Sequence, residues 1–515
     1  MKSTYDYDKS FELGDVDPKV WSSFTEHLGR SIYGGIYDPD KPFSDENGFR
    51  KDVKQEVKDL NLGVIRYPGG NFVSNYNWKD GIGPKNNRPK TMDFAWSSIE
   101  PNTFGIDDFC QWAEEVGIEP MIAVNLGTGD IRSAAQLVEY CNHDHGTYWS
   151  DLRIKNGHRK PYNIKYWCLG NEMEGDWQAG HMSAADYAKK AREAAKMMKW
   201  VDNSIKLVAC GSSYEMLPTY LKWDETIMKD LYPYVDYIST HNYNMNSGQG
   251  TLNFLSSWKQ LDDHIKNTKN VLAYSKSLQQ DPKYKNKDIK ICLDEWNVWN
   301  MQDIKIDNLD DLNGMTTFEL TDAKKWEEHP AILQEKYSLL DALTVGGLGI
   351  TILNNVDQVE IACLAQLLNV ISPITTDEDG HLLKQTIYYP FALLSKYGRG
   401  TVLSSKVSGD TQSTDYGDLP VVASATVYDK QKKEMHIFAL NNDLDNEAEL
   451  KLNFDGFGKV TPKEQIVFSG DDLKATNTFE KPENVVPKTI TPSSDIADLS
   501  LPKASWNVII CDVDA

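Results

Sequence analysis

Two rhythms of apolar and polar positions run along this chain, and the point where one gives way to the other divides it. From about residue 21, short β-branched and aromatic runs alternate with stretches whose apolar positions recur every three or four residues. The short runs predict strands at Ser31–Tyr37, Gly63–Tyr67, Glu119–Asn125, Ile164–Leu169, Lys206–Gly211, Val235–His241, Lys290–Asp294 and Leu348–Leu353. The longer ones predict helices at Phe49–Leu60, Ile106–Gly117, Ala134–Cys141, Ala184–Val201, Leu221–Leu231, Leu252–His264 and Ile332–Leu343. Eight strands alternating with helices are what an α/β fold of the (β/α)8 TIM-barrel type requires, here over residues 21–398. An open doubly wound sheet is the competing architecture, but no Gly-rich fingerprint follows the first strand. Near Tyr397–Gly400 the texture changes. Val421–Tyr428, Met435–Leu440, Ala448–Phe454 and Trp506–Cys511 alternate between Asp, Asn, Gly and Pro turns, which predicts a C-terminal, jelly-roll-like β-sandwich over residues 399–515. Residues 1–20 alternate weakly and are expected to supply one or two strands that join the sandwich. Asp303–Pro330 is acidic, weakly periodic and long for a strand-to-helix connection, the mark of a functional or mobile segment.

Two predicted strands end on chemistry. IKYWCLGNEMEG (Ile164–Gly175) breaks at Gly170 and then presents Asn171 and Glu172; IKICLDEWNVW (Ile289–Trp299) stops at Asp294 and Glu295, with two indoles following. Barrels gather such strand ends at one mouth, and by order Glu172 closes the fourth strand and Glu295 the seventh. Two carboxylates across a pocket are the minimum for glycoside hydrolysis. One protonates the leaving oxygen; the other attacks the anomeric carbon when the pair is about 5–5.5 Å apart, or activates a water when it is further away. RYPGGN (Arg66–Asn71) and THNY (Thr240–Tyr243) end two other strands, and FTEHLGR (Phe24–Arg30) precedes the first predicted one. Singly, Arg66 reads equally as a barrel-mouth salt bridge, His241 as a core histidine and Glu26 as a surface charge. Jointly they call for a ligand, because buried polar groups need partners.

The bulk numbers narrow the field. At 515 residues, 40% hydrophobic and 25% charged, the chain is globular and long enough for a barrel plus a smaller domain. A net charge of −22 leaves no positive surface for nucleic acid. No apolar run approaches membrane-spanning length, and MKSTYDYDKSFELGDVD has no apolar core of a signal peptide. Seven scattered cysteines, an odd number, fit buried free thiols in a reducing compartment, so a cytoplasmic protein is expected.

RYPGGNFVSNYNWKDGIGP, IEPNTFGIDDF, AVNLGTG, YWCLGNEMEG and ICLDEWNVW, in this order, closely resemble the α-L-arabinofuranosidases of glycoside hydrolase family 51, from about Phe24 to Gly400. The resemblance implies an intracellular, exo-acting, retaining enzyme on arabino- and arabinoxylo-oligosaccharides. It also implies no metal, no organic cofactor and a homo-oligomer, often a hexamer. Residue by residue it implies that Glu172 is the general acid/base, Glu295 the nucleophile and Asn171 the ligand of the sugar 2-hydroxyl. It further implies that Glu26, Arg66, Asn71, His241, Tyr243 and Gln366 line the sugar subsite and orient the carboxylates, between aromatic walls at Trp96 and Trp299. In that scheme the charge on Glu295 keeps Glu172 protonated in the resting enzyme.

Three positions depart from the family's commoner form: Glu174, where Asp is frequent, and Asn244 and Asn300, where aromatics are. All three are expected at the rim, where the leaving group sits. Cys168 reads as a packing residue. Cys141, His143 and His145 have metal-like spacing but no distant second pair. Asn125–Asp130 follows a strand as a phosphate loop would, yet lacks the Lys-Ser/Thr, and reads as a tight turn. The competing functions are another glycosidase on the same barrel (a β-xylosidase or β-1,4-glycanase) and a non-catalytic sugar-binding protein.

Overall fold

The computed structural model describes residues 1–301 and 326–514. Eight parallel strands close a barrel in sequence order: Ser22–Phe24, Val64–Tyr67, Glu119–Val124, Tyr166–Leu169, Lys206–Ala209, Tyr237–Asn244, Lys290–Val298 and Val359–Ala365. Alternate residues serve two cores. Val64, Met121, Cys168, Val208, Cys292 and Ile361 fill the barrel. Ile65, Ile122, Trp167, Leu207, Leu293 and Leu364 face the surrounding helices. Burial on both faces is why these strands read as nearly continuous apolar runs. The helices end where local chemistry stops them: Ser183 caps Ala184–Val201 by accepting from the Asp186 amide, and Gly117 closes Ile106–Val116 at φ +78°.

Two of the eight predicted strands are not strands. Ser31–Tyr37 is a run of turns, because Gly34 sits at φ +78° and a Cβ on Gly35 would lie 2.2 Å from the Ser31 carbonyl oxygen. The true first strand, Ser22–Phe24, is three residues long and too short to show a period. FTEHLGR therefore follows the first strand instead of preceding it. Leu348–Leu353 is the end of a helix, Leu339–Leu353, which also replaces the predicted helix Ile332–Leu343. That helix is buried throughout. Its glycines let it lie against neighbours, since a Cβ on Gly346 would come 2.4 Å from Trp506 Cδ1, and one on Gly349 would come 2.2 Å from Leu394 Cδ1. Close packing overrides the strand preference of its β-branched residues. The eighth strand is Val359–Ala365.

The C-terminal residues supply eight strands of a nine-stranded sheet, and a single N-terminal strand, Lys2–Asp15, is inserted among them. That strand runs antiparallel to Thr401–Gly409 and parallel to Ala448–Asp455. Tyr5, Tyr7, Leu450 and Leu452 share one core with Met435, Ile437 and Ile509 from strands further along the same sheet, so its two ends fold over each other as layers. The opposite residues, Phe438, Leu440 and Trp506, join the core of the barrel helices.

All seven cysteines are free and buried. Among the described residues no helix is long and apolar enough to cross a membrane. Most of the Asp303–Pro330 segment, 303–325, lies outside the described residues. Its last residues pair with the hairpin that carries Trp96: Trp326 N donates to Ser97 O at 2.7 Å, and Ile99 N to Glu327 O at 2.9 Å.

Candidate active site

The carboxyl ends of the barrel strands surround a cleft whose empty volume, counted out to solvent, is about 1040 Å³. It is lined by Glu26, Asn71, Trp96, Glu172, Tyr243, Glu295, Trp299 and Gln366, and by the apolar Leu28, Trp177, Leu217, Met245 and Leu333. Of the other predicted site residues, Arg66 and His241 are bonded to the carboxylates, and Asn171 is bonded to Arg66.

Glu295 is held on both oxygens. Arg66 Nη1 donates to Oε1 at 2.7 Å and Tyr243 OH to Oε2 at 2.7 Å. Arg66 is wholly buried, lies over the Phe24 ring at 4.6 Å, and sets its Nε 3.2 Å from Asp294 Oδ2. Its Nη2 donates to Asn171 Oδ1 at 2.6 Å. That bond fixes the amide, and leaves Asn171 Nδ2 buried with no hydrogen-bond partner among the described residues. A buried donor without a partner is what a ligand oxygen would satisfy.

Glu172 projects from a backbone in the left-handed region, φ +44°, two residues beyond Gly170 at φ +89°. Its Oε1 lies 2.9 Å from His241 Nδ1, and its Oε2 accepts from Trp177 Nε1 at 2.6 Å and Gln178 Nε2 at 3.4 Å. Gln178 also donates to Asn71 Oδ1 and accepts from Ser74 Oγ at 2.6 Å, tying the fourth strand's turn to the second's. One oxygen each of Glu172 and Glu295 and a ring nitrogen of His241 lie within 4.8 Å of one another. Such proximity favours the short carboxylate separation of double displacement over the wider gap that admits a water.

Burial pushes every acid here upward, and the neighbours decide the outcome. Glu26 rises to about 8, through burial and then the Glu295 charge, although Phe72 N donates to it at 2.8 Å and Trp96 Nε1 at 3.1 Å. Gln366 Nε2 donates to its other oxygen at 3.1 Å. Asp294 is also buried, but the Arg66 and His241 charges hold it below the usual range. His241 resists burial because Glu295 and Asp294 surround it, and its pKa stands well above 6.5. At Glu295 burial wins: His241 and Arg66 offset it only partly, the charges of Glu172 and Asp294 add to it, and the carboxyl is raised. At Glu172 the bonds and charge from His241, with Trp177 and Gln178, reverse the effect of burial and lower it. The carboxyl of Glu172 is shifted down and the ring of His241 up, so the two share a proton across the 2.9 Å contact between Oε1 and Nδ1. The pair still carries one transferable proton.

Trp177, Gln178 and the structural role of Asp294 escaped the sequence reading. The Trp-Gln pair five and six residues after Glu172 was the available signal. Glu174 Oε2 accepts from Ser213 N at 2.8 Å. Asn244 Nδ2 donates to Ser257 O at 3.3 Å, and Asn300 bridges Asn246 N at 3.1 Å and Asp341 Oδ1 at 3.0 Å, so both amides brace loops. Burial raises the Cys168 thiol to about 12 and leaves it inert. Cys141 is buried in the helix Ile131–Asn142, while His143 and His145 are exposed past its end, His145 against Asp144. Asn125–Asp130 is a turn closed by Asn125 Oδ1 accepting from Gly129 N, and Asp130 caps the next helix. Among the described residues two trios could gather round a metal ion: Glu172, His241 and Glu295, and the turn Asp377, Asp379 and His381. The first spends its donors on the contacts above; the second is largely exposed, with Asp377 accepting from the amides of Asp379 and His381.

Comparison with known proteins agrees with this geometry. Residues 56–264 match the family described as alpha-L-arabinofuranosidase 1 domain, and residues 294–505 the alpha-L-arabinofuranosidase C-terminal domain. The chain is 44% identical over 510 residues to intracellular exo-alpha-(1->5)-L-arabinofuranosidase 1 of Bacillus subtilis, covering 98% of this chain and 97% of that one. It is 44% identical over 513 residues to intracellular exo-alpha-(1->5)-L-arabinofuranosidase of Acetivibrio thermocellus, covering 99% of each. Its fold matches AbfB, a family 51 alpha-L-arabinofuranosidase from Bifidobacterium longum, with TM-score 0.89, 36% identity and 99% of both chains covered.

Proposed function

The chain belongs to the α-L-arabinofuranosidases of glycoside hydrolase family 51, and from that premise we propose how its cleft works. The enzyme releases terminal non-reducing α-L-arabinofuranosyl residues from arabino- and arabinoxylo-oligosaccharides, with retention of configuration. The observation that carries the mechanism is the pair of carboxylates, Glu172 and Glu295, with oxygens within 4.8 Å of each other. In the first step Glu295 attacks the anomeric carbon, the bond to the leaving oxygen breaks, and Glu172 delivers to that oxygen the proton it shares with His241. The products are a glycosyl ester and the free aglycone. In the second step Glu172 accepts a proton from water, the oxygen of that water attacks the same carbon, and Glu295 leaves as carboxylate. Arg66 and Tyr243 steady Glu295 before and after. Asn171 Nδ2 meets the 2-hydroxyl, where a bond can strengthen in the transition state. Glu26, Asn71 and Gln366 recognise the remaining hydroxyls, and Trp96 and Trp299 cover the apolar ring edges.

A panel of nitrophenyl glycosides tests the reading. A clear preference for the α-L-arabinofuranoside is expected, and NMR of the first-formed sugar should show the substrate's own anomeric configuration. Preference for a xyloside or glucoside would favour another barrel glycosidase, an inverted first product would overturn double displacement, and binding without turnover would favour a sugar-binding protein.

The charges of the site also fix the pH dependence. Glu295 must be ionised and is raised above 4.5, so kcat/KM should fall on acidification already above pH 4.5. The alkaline limb follows loss of the proton shared by His241 and Glu172, and since His241 is held well above 6.5, activity should persist beyond pH 6.5. His241→Asn removes a positive charge beside both carboxylates, so the acid limb should move to higher pH. A downward or absent movement in the pH profile would contradict the charge assignment.

The names of the relatives support α-1,5-linked arabino-oligosaccharides as substrate and a cytoplasmic location. A homo-oligomer, as in hexameric family members, is the expected assembly, and light scattering would read its mass.

A further inference from the structure

One carboxylate joins the two loops that flank the leaving group. Glu172 lies in the turn after the fourth strand, which closes through the bond from Gly175 N to Glu172 O at 2.8 Å. Two residues on, Glu174 reaches across to the loop after the fifth strand and accepts from Ser213 N at 2.8 Å. That loop supplies Ser213, Tyr214 and Leu217 to the lining of the cleft. Its start is fixed. Asp224, wholly buried, accepts from the preceding amide, Ser212 N, at 2.7 Å, and a Cβ on Gly211 would lie 2.1 Å from Ser239 O. Beyond that point the loop is held at Ser213 by Glu174, a half-buried side chain that also faces Thr219, and at Glu215 by Gln260 Nε2, which donates at 2.9 Å.

We propose that Glu174 is a positioning residue that sets the distance between the acid/base turn and the loop Ser213–Leu217, and so the specificity of the leaving-group subsite. The inference rests on the proposed roles of Glu172 and the cleft. Its physical basis is reach. An aspartate there is shorter by one methylene, about 1.5 Å, too much for a 2.8 Å hydrogen bond to survive unless one loop moves toward the other. A Gln keeps the length and the accepting oxygen without the charge.

The test compares Glu174→Asp and Glu174→Gln with the parent enzyme on α-1,5-arabinotriose and on 4-nitrophenyl α-L-arabinofuranoside. The triose fills the leaving-group subsite with two sugars; the aryl group leaves readily and depends on it less. Glu174→Asp should lower kcat/KM on the triose about five- to tenfold more than on the aryl glycoside, mainly through KM, the scale of one lost hydrogen bond. Glu174→Gln should restore the parent ratio of the two substrates. An unchanged ratio in Glu174→Asp would overturn the proposal. So would Glu174→Gln shifting the ratio as far as Glu174→Asp, because charge and not reach would then be the cause. Failure of the parent enzyme on both substrates would instead contradict the proposed function. Melting temperature separates a general structural loss, which lowers both substrates together.

Discussion

Glu295→Ala should abolish turnover, lowering kcat on any arabinofuranoside by at least about four orders of magnitude, as removal of a covalent nucleophile does. The variant loses more than an attacking oxygen. Arg66 Nη1 and Tyr243 OH each lose a 2.7 Å acceptor, so the groups that oriented the carboxylate now face a void. The fold should survive, because Asp294 stays 3.2 Å from Arg66 Nε and keeps the buried guanidinium paired. Steady-state kinetics with circular dichroism separates the two effects. Azide, small enough to occupy the vacated volume, should restore part of the activity on activated aryl donors and give an arabinosyl azide of inverted configuration. Undiminished hydrolysis would remove Glu295 from the mechanism.

Glu172→Ala should instead split substrates by leaving group. An arabino-oligosaccharide alkoxide cannot depart without a proton, and kcat/KM should fall by about three to four orders of magnitude, the upper range for general acid catalysis. A dinitrophenyl leaving group needs no proton, so its release should remain fast while hydrolysis of the glycosyl ester, now without a base, becomes slow. The expected signature is a burst of phenol, a lowered KM, and rescue by azide with retained configuration. Equal loss on both substrates would sink the acid/base role. The partners of Glu172 grade the effect: Trp177 and Gln178 hold one oxygen and His241 the other, so their removal should weaken acid catalysis without erasing it.

Glu172 and Glu295 were legible in the sequence because one lies within three residues of the end of an apolar strand and the other lies in one, where an abrupt carboxylate has few structural uses. The order of the motifs then placed them on the fourth and seventh strands even though the first and eighth strands were assigned wrongly. Those two errors have distinct causes. Ser22–Phe24 carries too few residues for a period to show, whereas Leu348–Leu353 shows a strand-like period that the close packing of Gly346 and Gly349 overrules. Trp177 and Gln178 were hidden because a turn has no periodicity, and which of its side chains points back to Glu172 depends on a left-handed residue at φ +44°. The coupling of Glu172 to His241 was hidden for a different reason. It depends on His241 meeting Asp294 with one nitrogen and Glu172 with the other, a contact between three strands that no linear pattern encodes. The chemistry of a strand end is local, but its charge balance is not.

The account stands on a covalent bond to one atom group. Glu172→Ala incubated with 2,4-dinitrophenyl α-L-arabinofuranoside, quenched in acid and digested, should yield one peptide heavier by a single arabinosyl unit, with the label on Glu295. An adduct on any other residue, or a phenol burst with no adduct at all, would contradict it.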